Sequence, residues 1–264
     1  MFFACVGAAL VLFLLAWLGF RSARKQEAAA SALTLTSTST CGELADLARG
    51  VGDEVGGGSF SQRAEVIGVA EAEGQLIHAP ETRADVVWHR TRVTHRWWEN
   101  ERTRDDRGNV RTRRVEKSDV VSDFSSEAAF AVSDGSGRLV VTAVGAEIDH
   151  PEKSVNRMDG LGSGSASSFA SILLGGNDSG TIGFEVEEWV LRPGARLYVH
   201  GEVGDEAGRL VFGPGDGRLL VSTRSEREIV AGHRSGAKWR RIGSLTAIAL
   251  GVAALIAGVV SLFA

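Results

Sequence analysis

The 264-residue chain carries a formal net charge of −4 at neutral pH and a sequence pI near 5.9. That balance argues against a nucleic-acid partner, which needs a basic field along one face. The two cysteines, Cys5 and Cys41, lie in unlike surroundings and make no disulfide framework, so the fold must rest on its hydrophobic core.

The hydrophobic residues, 44% of the chain, are concentrated at its two ends. Phe2 to Phe20 and Ile242 to Phe263 carry no charge. A helix of about 20 residues, rising about 1.5 Å per residue, crosses a bilayer core of roughly 30 Å. The sequence therefore predicts transmembrane helices over 2–20 and 242–263, a stalk over 21–39 and a soluble domain over 40–233, with the lipid bilayer as a partner. Only Met1 precedes the first run, which is longer than the apolar core of a signal peptide, so a retained anchor is expected.

Arg21, Arg24 and Lys25 follow the first run, and Arg234, Lys238, Arg240 and Arg241 precede the second. Basic residues near span ends stay on the cytoplasmic side. The expectation is an integral membrane protein with a cytoplasmic domain and both termini outside. Asn177-Asp178-Ser179, a glycosylation acceptor triplet, pulls the other way. Trp17 and Trp239 suit the headgroup level.

Gln26 to Ser39 is rich in Ala, Ser and Thr and reads as the stalk. Thr40-x-x-Glu43 then has the form of a capping box, and Leu44, Leu47, Ala48, Val51 and Val55 recur at helical spacing up to Gly56-Gly57-Gly58. This predicts an amphipathic helix that packs its stripe on the domain core.

Strand patterns follow. Ala64 to Glu71, with Gly68 in its middle, reads as a largely buried strand. Val86 to Val93 begins another that reaches Trp97-Trp98, and charge-dense Glu99 to Lys117 with Gly108-Asn109 reads as the solvated tip of a long hairpin returning along Val110 to Val121. Phe130 to Val141 is a hairpin around Asp134-Gly135-Ser136-Gly137. Asp159 to Thr181 reads as a Gly/Ser-rich insertion carrying the apolar Ile172-Leu173-Leu174. Phe184 to Leu191 with Arg196 to Val203, and Arg209 to Phe212 with Leu219 to Ser222, read as two further pairs around Gly-containing turns. Short strands at close spacing predict a mainly β (α+β) domain, a small β-barrel or sandwich.

No catalytic or metal-ligating residue is assigned from the sequence. His78, His89, His95, His150, His200 and His233 are scattered, without the spacing of a zinc site. The Gly-x-Gly clusters at 135–137 and 162–164 lack the strand-before, helix-after setting of a phosphate loop, and Gly162 to Ala166 is no nucleophile elbow. No cofactor is expected. Glu187-Glu188 offers paired acids, but adjacent strand residues face opposite ways. One is expected to meet water and the other to pair with an arginine.

Four stretches in order resemble the GIDE/MULAN-type family of membrane-anchored E3 ubiquitin ligases. Val66-Ile67-Gly68-Val69-Ala70-Glu71 leads to Leu76-x-x-Ala79-Pro80-Glu81-Thr82 and the strand from Val86 to Val93. Phe130 to Val141 with Gly145-Ala146 resembles the family's Phe-x-x-x-Asp-x-x-Gly hairpin. Glu187 to Leu191, Pro193-Gly194 and Leu197-Tyr198-Val199-His200-Gly201-Glu202 resemble its most distinctive stretch, and Leu220 to Glu228 its closing strand. The resemblance implies the membrane-side domain called BAM, held between two spans. In that family ubiquitin transfer is implied to depend on a zinc-binding RING after the second span, and the sequence up to Ala264 carries no such ligands.

The expected function is thus a non-catalytic scaffold that binds a membrane-associated protein or peptide. The alternative is a component of a RING-type ubiquitin transferase whose RING comes from another chain. A third possibility is a small-ligand receptor using a barrel mouth around Trp88, Trp97 and Trp98.

Overall fold

A computed structural model describes residues 7, 9–22, 24, 38–104, 108–160, 179–215, 217–225, 227–229, 242–253, 255–256 and 259. The chain divides into two compact units, one of Ser39–Thr223 and one of Met1–Thr38 with Arg224–Ala264.

In the second unit, residues 9–22 and 242–253 are helical. Ala9, Ala16, Ser244 and Gly251 are buried there, and a Cβ at Gly251 would lie 3.5 Å from Leu12 and the Phe13 ring. Small residues allow this close approach of the two helices. Among the described residues no helix is long and apolar enough to cross a membrane. The spans expected over 2–20 and 242–263 run into residues outside those described.

The other unit begins with helix α1 (Cys41–Val55). The capping box forms as the sequence predicts: Glu43 N–H donates to the Thr40 hydroxyl at 3.2 Å, and Thr40 N–H donates to the Glu43 carboxylate at 2.8 Å. Cys41 N–H donates to the Asp134 carboxylate and Gly42 N–H to the Ser136 hydroxyl, both at 2.8 Å. The helix N-terminus is thus docked on a hairpin turn, which satisfies amides that no helix can satisfy internally. The stripe that meets the core is narrower than expected. Cys41 and Leu44 are fully buried and Ala48 and Val51 pack on the core, while Leu47 and Val55 stay 50% and 71% exposed. Leu47 lies at the margin of the stripe, and Val55 belongs to the last turn before Gly56.

Thirteen strands follow among the described residues. They are β1 (Ser61–Ala72), β2 (Ile77–His78), β3 (Asp85–Val86), β4 (Trp88–Arg104), β5 (Val110–Ser125), β6 (Phe130–Ser133) and β7 (Arg138–Val141), then β8 (Ala146–Asp149), β9 (Glu152–Asp159), β10 (Ser179–Leu191), β11 (Arg196–Glu206), β12 (Arg209–Gly213) and β13 (Leu219–Ser222). The first sheet has the order β1-β6-β7-β12-β11-β13-β8, and β1 also pairs with β11. That extra pairing closes β1, β6, β7, β12 and β11 into a five-stranded barrel. Its one parallel junction is β7 with β12, and β13 with β8 extends the sheet in parallel. In barrel order the strands run first, second, third, fifth, fourth, the connectivity of an OB-type Greek-key barrel.

β1 closes the barrel by changing partner along its length. Ser61 to Val69 pair with β11, and Val69 to Ala72 pair with β6. Gly68 sits at the change, and a Cβ there would lie 2.8 Å from the Ser133 carbonyl carbon. A strand glycine at a close backbone approach is the expected device. Alternate residues fill the interior: Ala64, Val66 and Ala70 from β1, Phe130 and Val132 from β6, Leu197, Val199 and Val203 from β11, and Phe212 from β12.

The second sheet, β5-β4-β10-β9, is antiparallel throughout. The β4–β5 hairpin holds the charge-dense stretch, as the sequence predicts, but its strands stay paired out to Arg104 and Val110. Two of the expected pairs do not form. β10 pairs with β4 and β9, not with β11, so the Arg192-Pro193-Gly194 turn hands the chain from one sheet to the other. β12 pairs with β11 and β7 while β13 pairs with β11 and β8, because β11 lies between β12 and β13. Of the insertion expected over Asp159 to Thr181, Ser179 to Thr181 belong to β10. Ile172-Leu173-Leu174, Gly162 to Ala166 and the Asn177-Asp178 part of the acceptor triplet lie outside the described residues.

Candidate functional site

Glu188 is the centre of the most polar buried region in the second sheet. Its side chain is 0% exposed. The carboxylate accepts hydrogen bonds from the Glu81 amide at 2.7 Å, the Thr82 amide at 3.3 Å, the Thr82 hydroxyl at 2.8 Å and the Ser154 hydroxyl at 2.9 Å. Burial works to raise its pKa, but these donors, led by the Glu81 amide, hold it below the ordinary glutamate value. The alternation of β10 sends Glu187 to the other face, where it accepts from Lys153 at 2.7 Å. The opposite facing is thus as expected, and the partner of the buried acid is not: amides and hydroxyls meet it instead of an arginine. Local chain geometry explains this, since the tight loop joining β2 to β3, with Arg83 at φ 59°, turns the Glu81 and Thr82 amides inward.

His89 and Thr91 face the same side of β4 as Glu188, and Thr91 is the cross-strand partner of Glu188. His89 Nδ1 and Thr91 Oγ1 are both buried without a hydrogen-bond partner. Burial pushes the His89 pKa down, and the Glu188 charge offsets part of that.

A second polar stripe crosses the outer face of the barrel. Glu65, Tyr198, His200 and Ser222 are buried there, on the faces of β1, β11 and β13 opposite the apolar interior. The Tyr198 hydroxyl donates to Glu65 at 2.8 Å. Ser222 Oγ donates to Asp149 at 2.7 Å, and His150 Nδ1 lies 2.9 Å from the other Asp149 oxygen. Serine, histidine and aspartate therefore meet, with the carboxylate in the middle. A nucleophilic triad needs the imidazole between the other two, so that the ring can take the serine proton. This order cannot activate Ser222. His200 is pushed toward the neutral form by burial and by the nearby Arg63 charge.

The remaining histidines stand apart. His78 pairs with Asp85 at 2.7 Å, and His95 stacks between Trp97 and Phe184 and meets the Thr181 hydroxyl at 3.1 Å. His233 lies outside the described residues. Among the described residues no group of three or more His, Cys, Asp or Glu side chains is placed to hold a metal ion. The aromatic mouth does not form. Trp88 is buried in the barrel core, Trp97 lies against His95, and Trp98 sits 4.2 Å below the Arg114 guanidinium far along β4.

The architecture is that of a closed β-barrel domain carrying a four-stranded antiparallel sheet, its family-like motifs engaged in holding the two sheets and their loops in place. Residues 99–258 match the family model described as GIDE, E3 ubiquitin ligase, and the chain belongs to that family. The match takes in three of the four resembling stretches and begins within β4, beyond β1 and the Glu81-Thr82 loop. Comparisons with curated proteins and with solved structures returned no match.

Proposed function

We propose that this GIDE-family chain is a membrane-tethered scaffold whose barrel domain binds a protein or peptide beside the bilayer. The observation that carries the reading is where the motif residues go. Glu188 ties Glu81 and Thr82 to β9 and β10, Tyr198 is bonded to Glu65, and Ser222 to Asp149. These acids and hydroxyls are engaged in structural hydrogen bonds, which favours a rigid platform over an active centre. The uncharged runs of Phe2 to Phe20 and Ile242 to Phe263 support anchoring at both ends. A tether of this kind raises the domain's effective concentration for membrane partners.

Three measurements test the parts separately. An alkaline carbonate wash of vesicles should leave the full chain in the pellet, and its release would end the anchoring claim. Reporters fused at Ala264 and in the 101–110 tip should place the tip in the cytoplasm and the terminus outside; an exported tip reverses the orientation. Affinity capture of the full chain in mild detergent should enrich one membrane-associated protein that is lost on membrane solubilisation with denaturant.

The family description favours one second reading, a ligase component that works with a RING from another chain. Reconstitution with charged conjugating enzymes and a separate RING protein decides it. Ubiquitin transfer that needs this chain supports the ligase reading, and transfer unchanged by it returns the function to the scaffold.

A further inference from the structure

β5 is the free edge of the four-stranded sheet. Among the described residues it pairs with β4 alone, and it runs for 16 residues, exposed along nearly its whole length. Val110 and Val120 are each 57% exposed. An edge of this length presents a row of backbone donors and acceptors that can pair with another strand. The ladder with β4 is regular from Val110 to Val120 and then breaks at a bulge, because Thr94 pairs with Val120 and Val93 with Ser122. The regular stretch is thus centred on Val115.

We propose that this edge joins β5 of a second copy of the chain, antiparallel about a two-fold axis through Val115, to make one continuous eight-stranded sheet. An axis normal to the sheet keeps each residue on its own face, so the side chains that meet are set by the sequence. Val115 meets itself, Arg114 meets Glu116, Thr112 meets Ser118, Arg111 meets Asp119 and Val110 meets Val120. Every one of these is apolar with apolar, hydroxyl with hydroxyl, or cation with anion. The exception is Arg113 opposite Lys117, and the Lys117 ammonium is already paired with Glu99 and Glu101 on β4. Charges on an edge ordinarily keep strands apart. Here the same charges complement under the two-fold and favour this register. The regular pairing also ends where the bulge begins, so the contact uses the full undistorted stretch.

The test uses full-length chain in mild detergent, with Cys5→Ser to leave the buried Cys41 as the remaining native thiol. Val115→Cys should cross-link to itself on mild oxidation, because the two positions face each other across the axis. Ser118→Cys alone should not, since its copies lie about 20 Å apart at about 3.3 Å per residue. A mixture of Thr112→Cys and Ser118→Cys chains should cross-link. Asp119→Arg turns two ion pairs into like-charge contacts and should weaken the dimer about tenfold in sedimentation, with recovery in the Arg111→Asp, Asp119→Arg double variant. A chain that stays monomeric over the whole concentration range overturns the proposal. So does self-cross-linking of Ser118→Cys equal to that of Val115→Cys, or capture of a different protein at β5 in place of the second copy.

Discussion

The Glu188 carboxylate accepts the Glu81 amide at 2.7 Å across 107 positions of sequence. This bond joins two stretches that the family resemblance names separately, Ala79 to Thr82 and Glu187 to Leu191. Each is short and unremarkable as a pattern. Together they form a buried acid and the loop that solvates it, and they fix the β2–β3 loop against β9 and β10.

Glu188→Gln tests that role. The substitution keeps the shape but replaces one acceptor oxygen by an NH2 donor, which faces either the Glu81 amide or the Thr82 and Ser154 donors. Hydrogen bonds to a charged group are worth about 1.5–3 kcal/mol each, and an unpaired buried group costs about 1–3 kcal/mol. The expected loss is about 2–4 kcal/mol of stability, read as a lower denaturation midpoint. Glu187→Gln, on the opposite face where the half-buried carboxylate meets the more exposed Lys153, should cost less, about 1 kcal/mol. Equal effects would contradict the assignment.

Acid sensitivity follows from two sets of groups. The folded pKa of Glu188 is depressed, so its stabilisation is present above the unfolded value near 4.5 and fades as pH falls through the folded one. The folded pKa values of His89 and His200 are also depressed, by burial first. Below about pH 6.5 the unfolded chain takes up protons that the folded chain refuses, so stability declines there as well. Denaturation midpoints should therefore hold from pH 8 to about 7 and drop in two stages, one below about pH 6.5 and one below about pH 4.5. The His89→Gln, His200→Gln variant should lose the first stage and keep the second.

Much of the local structure was legible in the sequence, because local chemistry decides it. The Thr40/Glu43 box, the terminating glycines after α1, the Asp134 hairpin and the long charged ribbon all declare themselves through neighbours in the chain. Pairing between distant strands does not. Phe184 to Leu191 and Arg196 to Val203 look like a hairpin, but the turn between them changes sheets, and nothing within a few residues of Pro193 signals that. β9 carries no strand signal in the sequence, since Glu-Lys-Ser-Val-Asn-Arg-Met-Asp has no apolar alternation and is held mainly by its ladder to β10. The buried acid was half legible. Strand alternation separates Glu187 from Glu188, while the donors come from a loop more than a hundred residues away.

Gly68 has a role that a propensity scale would count as a defect. A Cβ there meets the Ser133 backbone and the Val132 side chain at the point where β1 passes from β11 to β6. Backbone cannot rotate aside as a side chain can. Gly68→Ala should thus destabilise the domain by about 2–3 kcal/mol, of the order seen for overpacked cores. Hydrogen exchange should locate the damage in β6 and the end of β1. Gly50→Ala, in the open on α1, should instead be neutral or stabilising by up to about 1 kcal/mol.

Cys41 offers a probe of how firmly α1 is docked. Burial, followed by the adjacent Asp134 charge, pushes its thiol up to about 12, and the side chain is fully enclosed. The thiolate is the reactive form, so native Cys41 should label only when α1 opens. Asp134 binds the Cys41 amide, the Ser136 amide and hydroxyl, and the Gly137 amide, which joins the helix cap to the hairpin turn. In a Cys5→Ser background, Asp134→Ala should lose about 1–2 kcal/mol of docking and raise the labelling rate roughly five- to thirtyfold. Removing the charge also favours the thiolate, so Asp134→Asn separates the two causes. It keeps an acceptor and loses the charge, and should recover most of the protection if docking governs the rate. Labelling of Asp134→Asn as fast as Asp134→Ala would assign the protection to the charge, and the helix cap would lose its claimed role.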